Sequence, residues 1–333
     1  VGASKTATAA VLGGAGLIVT TSGASAAGNS CRSLVVDGGG KYECKTSRPT
    51  TSELKGTGSR LEVFIRNTGE ESEGPAPSFE TTSGDAFLLL DNYGPEFITF
   101  VDETTDGATI TGADNGIKAK ITKVNGALSI TTTGTTTGNG TGTTNAGIYA
   151  RNSGTSLTIN AATTTGGKNG IFAQNKGTGA LSITTTGTTT GGTNGINAYN
   201  YNSASTGDLT IVTGEFDAEG DLIKTTGGTN GIYARNSGSG ALSITTSGDT
   251  EGTTGDGIYA YNEGSDLTIN AATTTGEEDG IYAKNYGTFG GALSITTTGT
   301  TTGGEDGIFA QNNGTGALSI TTTGDTKGNW IFE

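Results

Sequence analysis

The sequence predicts an all-β fold, a right-handed parallel β-helix with Gly-, Asn- and Thr-rich coils of about 23–27 residues. Three observations lead there. A Gly-Ile-x-Ala phrase, mostly with an aromatic at x, places isoleucines at Ile117, Ile148, Ile171, Ile196, Ile232, Ile258, Ile281 and Ile308. A second phrase, Leu-(Ser/Thr)-Ile, starts at Leu128, Leu157, Leu181, Leu209, Leu242, Leu267, Leu293 and Leu318. Thr runs such as TTTGTTTGG lie between them. Each copy thus holds two clear short strands and one Thr-rich candidate strand, punctuated by Gly and Asn.

Repetition also decides whether the chain folds at all. Only 31% of residues are hydrophobic, 60 are Gly, and the net charge is −14. That composition alone points to disorder. Stacked units, however, bury a shared core that no single unit buries by itself.

Residues 1–26 read as an export segment. Lys5 precedes an apolar run from Ala9 to Val19, and Ala24-Ser25-Ala26 fits an A-x-A cleavage site. The run is too short and too Gly-rich for a transmembrane helix. The competing reading is a strand of small residues packed on the fold. Residues 27–115 read as an N-terminal cap and irregular early coils. Cys31 and Cys44 are expected to pair in an oxidising compartment, closing a small loop worth about 3 kcal/mol. The alternative is two unrelated thiols. Two cysteines without a histidine make a poor zinc site. The segments RLEVFIRN, DAFLLLDN and EFITFVDE read as strands, and GEESEGPAPS as a loop.

Residues 116–333 read as regular coils, truncated within a rung at GNWIFE. Alternation puts Leu and Ile of GALSIT inward, and Ile and Ala of GIYARN inward. The expected core per turn is therefore Ile, Ala, Leu and Ile. Seven copies end the Gly-Ile-x-Ala strand with Asn, from Asn152 to Asn312. Asn is expected to accept a left-handed bend and to form an internal amide ladder between turns. One step is oversized, 36 residues, because Thr213 to Thr226 inserts TGEFDAEGDLIKTT.

Chemistry is sparse. No His is present, and His is the commonest general acid/base and metal ligand. The acidic balance argues against nucleic acid and against anionic lipid. Carboxylates cluster at coil corners: Glu277, Glu278 and Asp279; Glu305 and Asp306; Asp249 and Glu251. Such clusters can bind calcium or cut a glycosidic bond. They occupy a variable slot before Gly-Ile, so they read as solvated corners. No metal, cofactor or catalytic residue is expected, and a polysaccharide-acting enzyme stays as the alternative function. Outward Ser and Thr of LSITTTG also admit an ice-binding face.

Two surfaces remain as candidates. One is the insertion, with Glu215, Phe216 and Asp217 around an exposed aromatic anchor. The other is an outward aromatic stripe, Tyr149, Phe172, Tyr233, Tyr259, Tyr282 and Phe309, broken by Asn197 and flanked by Arg151, Arg235 and Lys284. The competing reading is that the rings only cover one another and stiffen the stack.

The export-like segment, the early Cys pair and coils such as NGIYARNSGSGALSITTSGD resemble the passenger domain of a bacterial autotransporter (type V secretion). The wording is most similar to Bartonella-type passengers. The resemblance implies export, passage through the precursor's own translocator barrel, and display or release outside the cell. It implies work as an adhesin or secreted effector, with a host cell-surface protein or glycan as partner. Through the angiogenic-factor group of that family, it extends to an endothelial growth-factor receptor.

Overall fold

The computed structural model describes residues 31–36, 39–44, 53–55, 60–67, 76–91, 96–142, 144–214, 216, 221–287 and 291–328. Residues 1–26 and the terminal NWIFE, on which the export and truncation expectations rest, lie outside them. The described chain is a parallel β-helix of about nine turns without a helix.

Each regular turn contributes one strand to each of three sheets. Sheet 1 has twelve described strands and holds the Leu-(Ser/Thr)-Ile phrase; sheets 2 and 3 have ten each. Sheet 2 is built from the Thr runs, and sheet 3 from the Gly-Ile-x-Ala phrase. Pairing between turns is parallel and in register: Ile148 opposes Ile171, Ile171 opposes Ile196, and Leu157 opposes Leu181. The exception is the first pair, where Cys31–Val36 runs antiparallel to Gly39–Cys44. That register puts Cys31 opposite Cys44, and Cys44 is buried and disulfide-bonded. The hairpin closes the end of sheet 1, since Gly39–Cys44 then pairs with Arg60–Ile65.

The expected inward columns are present. Ile171, Ile232, Leu181 and Ile183 have no solvent exposure, while Ile308, in the last turn, is half-buried. The core is wider than Ile, Ala, Leu and Ile. Sheet 2 adds a buried Thr in every regular turn but the last described one, among them Thr136, Thr164, Thr189, Thr225 and Thr274. The hydroxyls of Thr164 and Thr189 bond at 3.2 Å. Those of Thr225, Thr250 and Thr274 meet no partner among the described residues.

The early coils use the same three-sheet plan with larger residues. Phe79 in sheet 2, Phe87 in sheet 3 and Phe100 in sheet 1 meet edge to face, with ring centroids 5.1 and 5.0 Å apart. One such cluster fills a turn that small residues cannot fill.

Close approach of backbones accounts for much of the glycine. A Cβ on Gly154 would lie 2.0 Å from the Gly126 carbonyl oxygen, and one on Gly177 would lie 1.9 Å from that of Gly154. Left-handed backbone is not the general reason. Among the described residues only Gly84 and Gly107 have positive φ. The left-handed role expected of the Asn column is therefore corrected. These asparagines act through their side chains, accepting the N–H two residues on, as Gly154 donates to Asn152 at 3.0 Å and Gly177 to Asn175 at 3.1 Å.

The amide ladder is present. Asn236 Nδ2 donates to Asn262 Oδ1 at 2.9 Å, Asn262 to Asn285 at 3.0 Å, and Asn285 to Asn312 at 3.1 Å. It slips at one place. Asn175 turns its amide to the Gly179 carbonyl at 2.7 Å, and Asn200 Oδ1 is left without a partner among the described residues. The loop after Asn200 is longer than its neighbours, and Ser205, fully buried, fills the gap near Asn200 Nδ2 at 3.4 Å.

Candidate functional site: the outward face of sheet 3

Strand alternation fixes what sheet 3 shows to solvent. From Ile117–Ile121 to Ile308–Asn312, eight strands give sixteen outward positions. Eight are aromatic: Tyr149, Phe172, Tyr199, Tyr233, Tyr259, Tyr261, Tyr282 and Phe309. Five are basic, namely Lys118, Lys120, Arg151, Arg235 and Lys284, and none is acidic. In a chain with 32 acidic and 18 basic residues, this is a segregated face.

The rings form one continuous ladder. Tyr149 and Phe172 stack at 4.9 Å and 7°, Tyr233 and Tyr259 at 4.6 Å and 2°, Tyr259 and Tyr282 at 4.9 Å and 8°, and Tyr282 and Phe309 at 4.9 Å and 10°. The expected break at Asn197 does not interrupt it. Tyr199, two positions along the same strand, leans in and meets Phe172 at 6.1 Å and Tyr233 at 5.4 Å. Asn197 is itself buried, donating to Asn169 Oδ1 at 3.3 Å.

Because the rings cover one another, their faces are largely used up. Tyr149 is only 5% exposed, which corrects the expectation of an open ring there; the others are half-buried. What reaches solvent is ring edge and phenol hydroxyl. Burial, reinforced by the neighbouring phenols, pushes the Tyr199 and Tyr259 hydroxyls up to about 12, and burial also raises Tyr233. These phenols stay protonated, and so remain donors, at any physiological pH.

Beside the ladder lies a second cluster that departs from the repeat. Tyr201 stacks on Tyr199 at 5.1 Å, and Tyr286 packs on Tyr261 at 5.2 Å. Both are exposed and both lie just after the Asn column. The Arg235 guanidinium lies between them, 5.0 Å from the Tyr261 ring and 6.0 Å from that of Tyr201, and pairs with Glu263 at 2.9 Å. Lys284 lies over Tyr282 and Phe309 at 4.8 and 5.3 Å. Arg151 donates to Gln174 at 2.7 Å and to the Tyr149 hydroxyl at 3.2 Å. A shallow depression of about 530 Å3, lined by Gln174, Lys176, Tyr201 and Asn202, adjoins this cluster.

Of the residues picked out from sequence, Tyr233, Arg235, Tyr259, Tyr282 and Lys284 thus meet on adjacent strands of one sheet. Phe216 does not join them. It lies in the connection from sheet 1 to sheet 2, is 56% exposed, and bridges antiparallel to Leu222. Glu215 and Asp217 lie outside the described residues. Tyr199, Tyr201, Tyr261 and Tyr286 were not singled out by sequence. Tyr199 and Tyr261 hold the outward position after Ala that the repeat does place, whereas Tyr201 and Tyr286 follow the Asn column in loops, and the repeat pattern alone does not say which turn a loop residue stands over.

The corner carboxylates divide. Glu251, Glu277, Glu278 and Glu305 are exposed as expected. Asp279 is not a solvated corner: it is 7% exposed, and Asp256, in the same slot one turn earlier, is 5% exposed. They continue a second ladder, in which Asn194 donates to Asn169 at 3.1 Å and Asn230 to Asn194 at 3.1 Å. Below Asn230 the ladder changes to acid. The Asp256 N–H donates to Asn230 Oδ1, that of Asp279 to Asp256 Oδ1, and that of Asp306 to Asp279 Oδ1, at 2.9, 3.1 and 3.0 Å. Desolvation, with Asp279, Glu278 and Glu305 nearby, pushes the Asp256 carboxyl up to about 7, and burial raises Asp279 also. Among the described residues, no group of three or more His, Cys, Asp or Glu is placed to hold a metal ion.

The outward positions of sheet 1 carry Ser and Thr in register, such as Ser182/Thr184 and Ser243/Thr245, but Asn160, Val212 and Asn270 interrupt the array.

Fold and site together define a class: a parallel β-helix that carries an aromatic and basic ladder along one face. Comparison with protein-family models, curated proteins and solved structures returns no match.

Proposed function

We propose that this chain is an exported autotransporter-type passenger that contacts host cells, as an adhesin or a receptor-binding effector, and that it binds its partner without transforming it. The observation that carries this reading is the segregation of eight aromatic and five basic residues, without one acid, on the outward positions of sheet 3. Aromatic and Arg side chains are the residues most enriched where protein surfaces make productive contacts. The remaining polar chemistry is spent on the scaffold. The Asp256 and Asp279 carboxylates accept backbone N–H groups of the next turn, and Arg235 pairs with Glu263 instead of with them. Partners in this reading are a host cell-surface protein or glycan, with the growth-factor receptor of endothelial cells as one member of that class.

The test is saturable binding of the labelled full chain to cultured host cells. Binding is expected, with loss in a Lys120→Gln/Arg151→Gln/Lys284→Gln variant whose far-ultraviolet circular dichroism matches the parent. Absence of saturable binding by the parent, or undiminished binding by the variant, would contradict the reading.

A further inference from the structure

The reading above leaves the partner's chemistry open, and sheet 3 narrows it. The face is straight and repeats once per turn, so its eight strands span roughly 34 Å at about 4.8 Å per turn. Its cations are spread along that length instead of clustered: Lys120 at one end, Arg151 in the next turn, Arg235 further on, and Lys284 near the other end. A compact protein partner is best met by a compact patch with a buried centre. A long, periodic and shallow strip suits a long, periodic and narrow ligand.

Ring geometry gives the second constraint. Rings stacked at 4.6–4.9 Å do not offer their faces, so stacking of a sugar or base on the ladder is blocked over most of its length. The phenol hydroxyls and positive ring edges remain, and both favour hydroxyl and anionic oxygen acceptors. A nucleic acid without access to ring faces loses its main sequence-tolerant contact with aromatic residues. A polysaccharide loses less, because its hydroxyls and acidic groups bind side-on.

Charge gives the third. The chain carries −14 overall, so a polyanion is repelled from acidic surfaces, such as the corner with Glu277, Glu278 and Glu305, and is guided to the strip that carries cations without an acid. Arg235 keeps its charge beside Glu263, and Lys118 is tied to Asp85 at 3.4 Å, which leaves Lys120, Arg151 and Lys284 as cations without a carboxylate partner among the described residues.

We propose that the outward face of sheet 3 binds a linear anionic polysaccharide. Its chain lies along the stack, with acidic groups against Lys120, Arg151, Arg235 and Lys284 and hydroxyls against the phenol edges of the ladder. The proposal rests on the cell-contact reading and specifies its ligand.

The full chain is passed over immobilised heparin, a highly sulfated linear glycan, over its desulfated, N-acetylated and carboxyl-reduced form, which keeps no charge, and over polyglutamate. Retention on heparin alone is expected, with affinity falling about tenfold or more between about 50 and about 200 mM salt, because bound counterions are released on contact. The Lys120→Gln/Arg151→Gln/Lys284→Gln variant is expected to lose about tenfold or more in affinity, whereas Phe216→Ser, off this sheet, binds like the parent. Failure of the parent to bind heparin overturns the proposal. So does equal binding to the desulfated form or to polyglutamate, displacement by single-stranded DNA as effective as by heparin, or a triple variant that binds like the parent. Cells stripped enzymatically of acidic glycans separate the two readings. If they bind the chain undiminished, the glycan assignment falls and cell contact stands; if untreated cells do not bind it, the cell-contact reading falls.

Discussion

Tyr233 and Tyr259 occupy the same strand position on consecutive turns, and their rings lie 4.6 Å apart with planes 2° from parallel. The spacing is set by the backbone ladder, about 4.8 Å between strands, so identical residues in register are stacked by default. An interior ring has two such neighbours and a terminal ring has one. A stacked pair contributes about 0.5–1.5 kcal/mol beyond area burial. Tyr259→Ser is therefore expected to destabilise by about 1–3 kcal/mol, roughly twice the loss from Phe309→Ser, in urea unfolding followed by circular dichroism. Equal losses at the two positions would show that the ladder adds nothing to ordinary burial.

Asn236 gives a sharper case. Its amide donates to Asn262 at 2.9 Å and to the Gly240 carbonyl at 2.8 Å, while its oxygen accepts from Asn200 at 3.1 Å and from the Gly238 N–H at 3.2 Å. Asn236→Ala strands partners on both sides in a buried column, and each such orphan costs about 1–3 kcal/mol. A loss of about 3 kcal/mol or more is expected, with local amide exchange fastest around Gly238 and Gly264. A loss below about 1 kcal/mol would mean the ladder is incidental.

The acidic rungs make stability depend on pH. Asp256 has its carboxyl raised to about 7 in the folded chain, against about 3.9 in an unfolded one. The folded state then holds more protons between those values, so stability is greatest below about pH 4 for this group and is lost as pH rises through 7. Asp279, raised in the same direction, adds to the slope. Asp256→Asn restores the amide used at Asn194 and Asn230, and is expected to flatten the slope between pH 4 and 7 and to raise the melting temperature at about pH 8. An unchanged slope would place the titration elsewhere.

The buried threonines predict a gain. Thr225 is fully buried with its hydroxyl unmet among the described residues. Thr225→Val removes a desolvated polar group at nearly constant shape, and a stabilisation of about 1 kcal/mol is expected in the same urea experiment. A destabilisation would show that the hydroxyl has a partner in solution.

Much of the scaffold was legible in the sequence because the repeat is nearly literal. Ile171 and Ile232 fall in one buried column because strand period and repeat length agree, and the oversized step located the connection that carries Phe216. Four features were not legible, for physical reasons. Thr164 and Thr189 look like surface residues by polarity, yet they face inward because a three-residue strand leaves its middle residue as the only outward one. Asp279 looked like a solvated corner because its neighbours Glu277 and Glu278 are acidic. Its burial follows from occupying the Asn230 slot of a ladder, where position outweighs charge. Tyr199 closes the gap at Asn197 because a side chain two positions away reaches the same gap between turns, and a linear pattern has no term for that reach. The early coils hid their register because Phe79, Phe87 and Phe100 fill with single large rings what later turns fill with several small residues.

The central claim is that sheet 3 is the contact surface, and side-chain oxidative footprinting of the full chain tests it most directly, bound to host cells or to heparin and compared with the free chain. Protection is expected at Tyr201, Tyr261 and Tyr286, which stand exposed or half-exposed beside Arg235 and Lys284, with Phe216 and Leu222 oxidised as in the free chain. Protection at Phe216 and Leu222, with Tyr201, Tyr261 and Tyr286 unchanged, would contradict it and move the site to the sheet 1–sheet 2 connection.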